Sequence, residues 1–268
     1  MSDQPGRTVR KLQRTLWQQG HSDSSDDVVA EEVAVAVMYN CISHVVMMAT
    51  PADLEDFAVG FSLTEGIVPG VDDILDIEVT EDPRGLVLSI MIPEQSFAAL
   101  KDQRRNMTGR TGCGLCGAET LEQAIRAPKV VGNEQRFSHT AVQTAIAAFA
   151  PTQKLMLETG AVHGAAWCDA QGNIVLTRED VGRHNALDKL IGALQREKIS
   201  NSGFVLVTSR ASYEMVTKVA RAGIELMVAV SAPTALAIDM AADSGVALVG
   251  FGRTGRHSIY HGVERFSD

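Results

Sequence analysis

Cys113 and Cys116 are separated by two residues inside TGRTGCGLCGAETL, with glycine on both flanks of the pair. Such a C-x-x-C can hold a metal, cycle a disulfide, or carry sulfur on a thiolate. Structural zinc needs four ligands, and the remaining cysteines, Cys41 and Cys168, are isolated in strand-like runs. His139 or His163 could complete such a site only through the tertiary fold. A thioredoxin-like dithiol would open a helix after a strand, and no strand-like run leads into this pair. For a sulfur carrier, Arg104, Arg105 and Arg110 lie just upstream and favour the ionised thiol. Cys116 then has a chemical task. It can attack the sulfur bonded to Cys113, expel the outer sulfur as sulfide and leave a disulfide. The residues alone leave these readings open.

Three further segments carry polar chemistry. REDVGRHNALDK, residues 178–189, gathers Glu179, Asp180, Arg183, His184, Asn185, Asp188 and Lys189 around a helix start. It reads either as an Asp180 cap with a solvated charged face or as a pocket wall past the carboxyl end of a strand, where open α/β sheets bind ligands. His163, in TGAVHGAA, belongs either to the core or to that pocket. FGRTGR, from Phe251 through Gly252, Arg253, Thr254 and Gly255 to Arg256, follows the last predicted strand. Its glycines allow close backbone approach, and its arginines can grip phosphate oxygens. In SAPTALA, Ser231 and Thr234 stand where a helix begins, suited to capping or to phosphate.

Bulk composition narrows the partners. Lys+Arg 24 against Asp+Glu 33 gives a net charge of −9, so nothing draws the whole chain to nucleic acid or anionic lipid. An anionic ligand must be held by a local cluster. The basic amino-terminal stretch has no apolar core of a secretory signal. The longest apolar run, 224–251, is broken by Glu225, Pro233, Asp239 and Asp243, so no membrane span is expected. The expected compartment is the cytoplasm.

The elements that must position these groups follow from periodicity. Residues 1–27 pass from basic to HSDSSDD and are expected as a mobile tail. Residues 31–49 read as two strands about a turn at Tyr39–Cys41. A helix is expected from Thr50 as cap and Pro51 as first residue, through Leu54, Phe57, Ala58 and Phe61, to a stop at Gly66. Strand-like runs follow at 76–80 and 85–92. Residues 104–118, rich in glycine and charge, are expected as a mobile loop. From Ser138 onward helices and strands alternate, which predicts a three-layer α/β domain with a mostly parallel sheet. The expected division is a tail over 1–27, a smaller N-terminal α/β domain over 28–135 that includes the loop, and a larger domain over 136–268.

Taken together, EEVAVAV, TPADLEDFAVGFSLTEGIV, GCGLCG, TGAVHGAA, EDVGRHNALDKLIG, SRASYEMVTKVARAGI, SAPTALAIDMA and GFGRTGR resemble the formate dehydrogenase accessory sulfurtransferases, the FdhD family. The resemblance spans nearly the whole chain after residue 28. It implies a cytidine-deaminase-like fold for the larger domain, without deaminase chemistry, since the H-x-E and P-C-x-x-C zinc pattern is missing. It also implies sulfur taken from a cysteine desulfurase as a persulfide on Cys113, with Cys116 as partner thiol. Delivery is to a molybdenum bis(molybdopterin guanine dinucleotide) cofactor, bound as substrate and needed by formate dehydrogenase. Phe251 to Arg256 match the segment assigned to that cofactor, with His163, Asp180, Arg183 and His184 as a further pocket. Guanosine diphosphate is the expected partial mimic. A homodimer is implied, with no structural metal, nucleic acid or membrane. The rival expectation is a chaperone that shelters the cofactor without transferring sulfur; the thiol pair favours the carrier, because sheltering needs no thiols.

Overall fold

The computed structural model describes residues 6–105 and 129–267; Cys113 and Cys116 lie outside the described residues. The chain is a mixed α/β protein built on two principal sheets. The first takes strands β3 (Val33–Tyr39), β4 (Ile42–Ala49), β5 (Asp76–Asp82) and β6 (Gly85–Met91) in the order β4-β3-β6-β5. Its strands alternate, and the inward set Val35, Val37, Tyr39, Leu86, Leu88 and Ile90 is buried against helices α1 (Leu54–Thr64) and α2 (Glu94–Arg105). The expected hairpin at 31–49 and the strands near 76 and 85 are therefore present. Of the loop expected over 104–118, residues 104 and 105 close α2, and the remainder lies outside the described residues.

The second sheet has six strands in the order β13-β12-β11-β10-β8-β9. These are β8 (His163–Asp169), β9 (Ile174–Asp180), β10 (Gly203–Val207), β11 (Leu226–Ala229), β12 (Ala247–Arg253) and β13 (Arg256–His261). On one face Ala165, Trp167, Val205, Val207, Met227 and Leu248 meet helices α5 (Arg183–Arg196), α6 (Tyr213–Arg221) and α7 (Ala235–Ser244). On the other, Ala166, Cys168, Phe204, Leu206, Val228 and Val249 meet α3 (His139–Phe149). A short helix α4 (Lys154–Thr159) precedes β8. Small two-residue strands β7 (Phe137–Ser138) and β14 (Phe266–Ser267) pair in parallel beside them. Among the described residues no helix is long and apolar enough to cross a membrane.

Several expectations need correction. The sheet is not mostly parallel: β10, β11 and β12 run parallel, while β8, β9 and β13 join antiparallel. The helix-linked crossovers were visible in the pattern, but the hairpins at both edges reverse the chain. Residues read as tail form an antiparallel ribbon, β1 (Val9–Gln18) against β2 (His21–Ala30). Gln19 and Gly20 take positive φ at its turn, and Arg14 pairs with Asp27 at 3.1 Å across it. The Ser/Asp composition of β2 hid a strand that is held by its partner rather than by apolar residues. Thr50 does not cap α1. The helix begins at Leu54 after Asp53 in the left-handed region, and Thr50 is wholly buried in other bonds described below.

The two sheets are joined where α1 crosses α5. A Cβ added to Gly60 would stand 1.7 Å from the Asp188 carbonyl oxygen, and one added to Gly192 would stand 1.9 Å from that of Asp56. Only glycine permits this separation. Gly192→Ala should therefore force the helices apart and destabilise the protein by about 1–3 kcal/mol. A lowered denaturant midpoint at unchanged slope is the expected reading.

Candidate functional site

The carboxyl ends of β9, β10, β11 and β12 and the amino end of β8 lie along one edge of the six-stranded sheet, as the pairings His163↔Asp180 and Val207↔Ala165 require. That edge receives most of the polar residues singled out in the sequence, but it uses them in different ways.

Asp180 is wholly buried, and its carboxylate is saturated from inside the protein. Oδ1 accepts from Gly182 N at 2.7 Å and Asn185 Nδ2 at 3.0 Å; Oδ2 accepts from Thr50 N at 3.0 Å and faces Lys189 Nζ at 2.6 Å. Lys189 also donates to the Thr50 carbonyl at 2.9 Å, and Thr50 Oγ1 accepts from Val181 N at 3.1 Å. Asn185 reaches Met48 O at 2.9 Å. Asp188 belongs to a neighbouring group: its two oxygens meet Thr64 Oγ1 at 2.7 Å and Lys218 Nζ at 2.9 Å, and Lys218 also pairs with Glu65 at 2.8 Å. Asp180 thus sits in a buried lock between the sheets and not on a pocket wall. Neither an Asp180 cap nor a solvated face describes it. Glu179 accepts from Leu155 N at 2.9 Å and Met156 N at 2.8 Å, which anchors α4.

Arg183, His184 and His163 do come together at this edge. His163 is half-buried, with Nδ1 3.4 Å from Thr208 Oγ1. Burial lowers its pKa first, and the charges of Arg183 and His184 lower it further. Arg183 Nε and His184 Nε2 are shielded from water and have no hydrogen-bond partner among the described residues. His184 Nε2 stands 3.7 Å from Glu214 Oε2, an ion-pair distance too long for a hydrogen bond. Ser212 Oγ donates to the same carboxylate at 2.9 Å. His184 is the chief reason the Glu214 carboxyl falls from 4.5 to about 2; partial burial opposes the shift, and Ser212 adds to it. Glu214, Ser212 and Thr208 were not signalled by the sequence, because each occupies an ordinary position near a helix start or strand end.

FGRTGR forms the end of β12 and its turn into β13, so it precedes one more strand than the sequence suggested. Phe251 is exposed and takes φ +51°, uncommon for a bulky residue, while its N–H donates to Ser231 O at 3.0 Å. Arg253 and Arg256 are directly opposed across the Thr254–Gly255 turn, and both are exposed. Opposed like charges in a strand pair are unfavourable, and an anion between them relieves the repulsion. Arg253 is steadied through Nη1 on the carbonyls of Val230 and Gly252. Beneath the turn is a cavity of about 550 Å³ lined by His139, Gln143, Gly255, Arg256, His257 and Ile259. A larger hollow of about 720 Å³ is lined by Asp53, Glu55, Arg178 and Arg196 among others. Its arginines are already taken: Arg178 and Arg196 hold Asp56 at 2.8 and 2.5 Å. Thr234, as expected, caps α7 by accepting from Ala237 N at 3.3 Å.

Of the two cysteines outside the pair, Cys168 is buried and its thiol is pushed up to about 12, chiefly by desolvation, so it is no nucleophile at neutral pH. Cys41 is exposed in the β3–β4 turn, far in sequence from the polar edge.

Comparison with known proteins gives a consistent result. A family model described as the FdhD/NarQ family matches residues 30–267. A relative from Cupriavidus necator, named Sulfur carrier protein FdhD, is 53% identical over 251 residues, 93% of this chain and 87% of the relative. A relative of the same name from Xanthomonas euvesicatoria pv. vesicatoria is 50% identical over 265 residues, 98% of this chain and 94% of the relative. Among solved structures, a protein described as a formate dehydrogenase accessory protein, from Desulfotalea psychrophila, is similar with a TM-score of 0.75. It is 25% identical, and the match covers 97% of this chain and 100% of that one.

The Glu214 carboxyl supplies a pH-dependent prediction. Its lowered pKa contributes stability that is present above about 4.5 and lost as pH falls toward 2. Glu214→Gln should flatten the stability-versus-pH curve across that window, measured by denaturant midpoints at successive pH values.

Proposed function

The chain belongs to the FdhD/NarQ family, and on that basis we propose that it is a sulfur carrier serving formate dehydrogenase. Cys113 takes the outer sulfur of a cysteine desulfurase persulfide, and the desulfurase cysteine leaves as a thiolate. The Cys113 persulfide is then the donor to a molybdenum bis(molybdopterin guanine dinucleotide) cofactor, held as substrate. Attack by Cys116 on the inner sulfur releases the outer one and leaves a Cys113–Cys116 disulfide, which a dithiol reductant reopens for the next cycle. In this reading the six-stranded sheet with its helices is the cytidine-deaminase-like domain, and the protein works as a cytoplasmic homodimer.

The observation that carries the ligand assignment is the Arg253–Arg256 pair, opposed across a glycine turn at the sheet's polar edge. Pyrophosphate of one guanine dinucleotide fits between these guanidinium groups. Arg183, His184 and His163 lie beyond β10 and β11 along the same edge, roughly 14 Å away by strand spacing, within reach of a cofactor with two nucleotide arms. The thiol pair supports a carrier over a passive chaperone, and Cys168 and Cys41 do not share its arginine-rich setting.

Guanosine diphosphate should raise the melting temperature of the wild-type chain, since a ligand selective for the native state stabilises it. Arg253→Ala combined with Arg256→Ala should remove the shift while leaving the unliganded melting temperature close to wild type. An unchanged shift in the double variant moves the nucleotide elsewhere. Cys113→Ala should abolish maturation of formate dehydrogenase, whereas Cys116→Ala should slow it; full maturation with Cys113→Ala would favour the chaperone.

A further inference from the structure

The turn that carries Arg253 and Arg256 is held from below by a chain of three side chains. Gly255 N–H donates to Gln143 Oε1 at 2.7 Å. A backbone N–H can only donate, so the Gln143 oxygen must face it and the Gln143 amide nitrogen must face the other way. That nitrogen is 2.8 Å from His257 Nδ1, which therefore accepts. A neutral imidazole that accepts at Nδ1 carries its proton on Nε2, and His257 Nε2 is 2.9 Å from His139 Nδ1. His139 in turn must accept. Ring centroids 5.1 Å apart at an interplanar angle of 23° suit an edge-on N–H···N bond of this kind. One backbone donor thus sets the polarity of the whole relay.

We propose that Gln143, His257 and His139 are positioning residues for the 253–256 turn, and that their relay closes only while both imidazoles are unprotonated. A proton on His257 Nδ1 would face the Gln143 amide hydrogens. Turning the amide over would satisfy the histidine but leave Gly255 N–H against another donor. A proton on His139 Nδ1 would face His257 Nε2–H. Among the described residues no carboxylate is bonded to the relay; Asp239 and Asp243 of α7, which also packs on β13, are exposed. Helix α3 and strands β12 and β13 carry no carboxylate, and the charged side chains nearest the turn are Arg253 and Arg256. The paired residues 137–138 and 266–267 add only aromatic and hydroxyl groups, with Phe266 against His139. Arg265 is committed to Glu225. Burial and the neighbouring His139 both lower the His257 pKa, in the direction the geometry requires. The chain is therefore destabilised as pH falls below the ordinary histidine value of about 6.5, and the turn is the part released. The ligand consequence rests on the nucleotide reading above; the relay itself does not.

Amide exchange at Gly255, measured by NMR as a protection factor without nucleotide, tests the relay directly. Protection should be present at pH 7.5 and drop about tenfold or more at pH 5.5, with amides of the β10–β11 ladder unaffected. Gln143→Ala should lose Gly255 protection at both pH values. Gln143→Glu should remove the pH dependence and keep Gly255 protected at both values, because a carboxylate accepts from Gly255 N–H and from His257 Nδ1–H whether that ring is neutral or protonated; a merely structural glutamine would give no such rescue at pH 5.5. Equal wild-type protection at the two pH values, or a Gln143→Glu variant that follows wild type, overturns the proposal. Guanosine diphosphate affinity should fall with the protection factor in wild type and survive at pH 5.5 in Gln143→Glu. If wild-type chain binds no guanosine diphosphate while Gly255 protection still follows the histidines, the nucleotide reading fails and the relay stands.

Discussion

Lys189 carries an ammonium group into a place with no solvent contact, tolerated there because Asp180 stands 2.6 Å away and the Thr50 carbonyl 2.9 Å away. Removing either charge would strand the other in a low-dielectric interior, at a cost of about 3–5 kcal/mol. Such a pair adds little net stability over a well-packed apolar substitute; what it imposes is register. Thr50 meets Asp180, Val181 and Lys189 through its N–H, hydroxyl and carbonyl respectively, so the segment ahead of α1 has one seat on the second sheet. The Gly60–Gly192 crossing fixes the helix separation at which those bonds close.

The polar edge depends on this seat. Asp180 holds Gly182 N–H, and the next residues, Arg183 and His184, open α5, with Arg183 Nε and His184 Nε2 lacking a hydrogen-bond partner among the described residues. At the other end of the edge the arrangement is reversed. Arg253 and Arg256 are exposed, while the groups behind them, Gln143 and the two histidines, are engaged with one another. One end is thus stiffened by buried charge and the other by neutral hydrogen bonds.

Much of the fold was legible because the hydrophobic period is strong. Val35, Val37 and Tyr39 alternate as a half-buried strand must, and Leu187, Leu190, Ile191 and Leu194 mark one helix face. The β1–β2 ribbon was missed because its strands are polar and bind each other through backbone and ion pairs. Strand β13 was missed for a similar reason: RHSIYH alternates weakly and lies at the sheet edge. At the site, residue type identified the cluster in 178–189 but not its use. Nothing local tells Asp180, which is spent on Lys189, from Arg183, whose Nε has no hydrogen-bond partner among the described residues, since the contacts that commit Asp180 and its neighbours come from residues 48–64. Gln143 lies in no motif, and Glu214 lies within SRASYEMVTKVARAGI without anything local marking it as a site residue. Their roles arise from what the tertiary fold sets opposite them.

The central claim concerns Cys113, and mass spectrometry under non-reducing conditions tests it most directly. After incubation of the whole chain with a cysteine desulfurase and cysteine, the peptide bearing Cys113 should gain the mass of about one sulfur atom and lose it on reduction. A chain that gains no sulfur, or gains it equally when Cys113 is replaced by alanine, would contradict the claim.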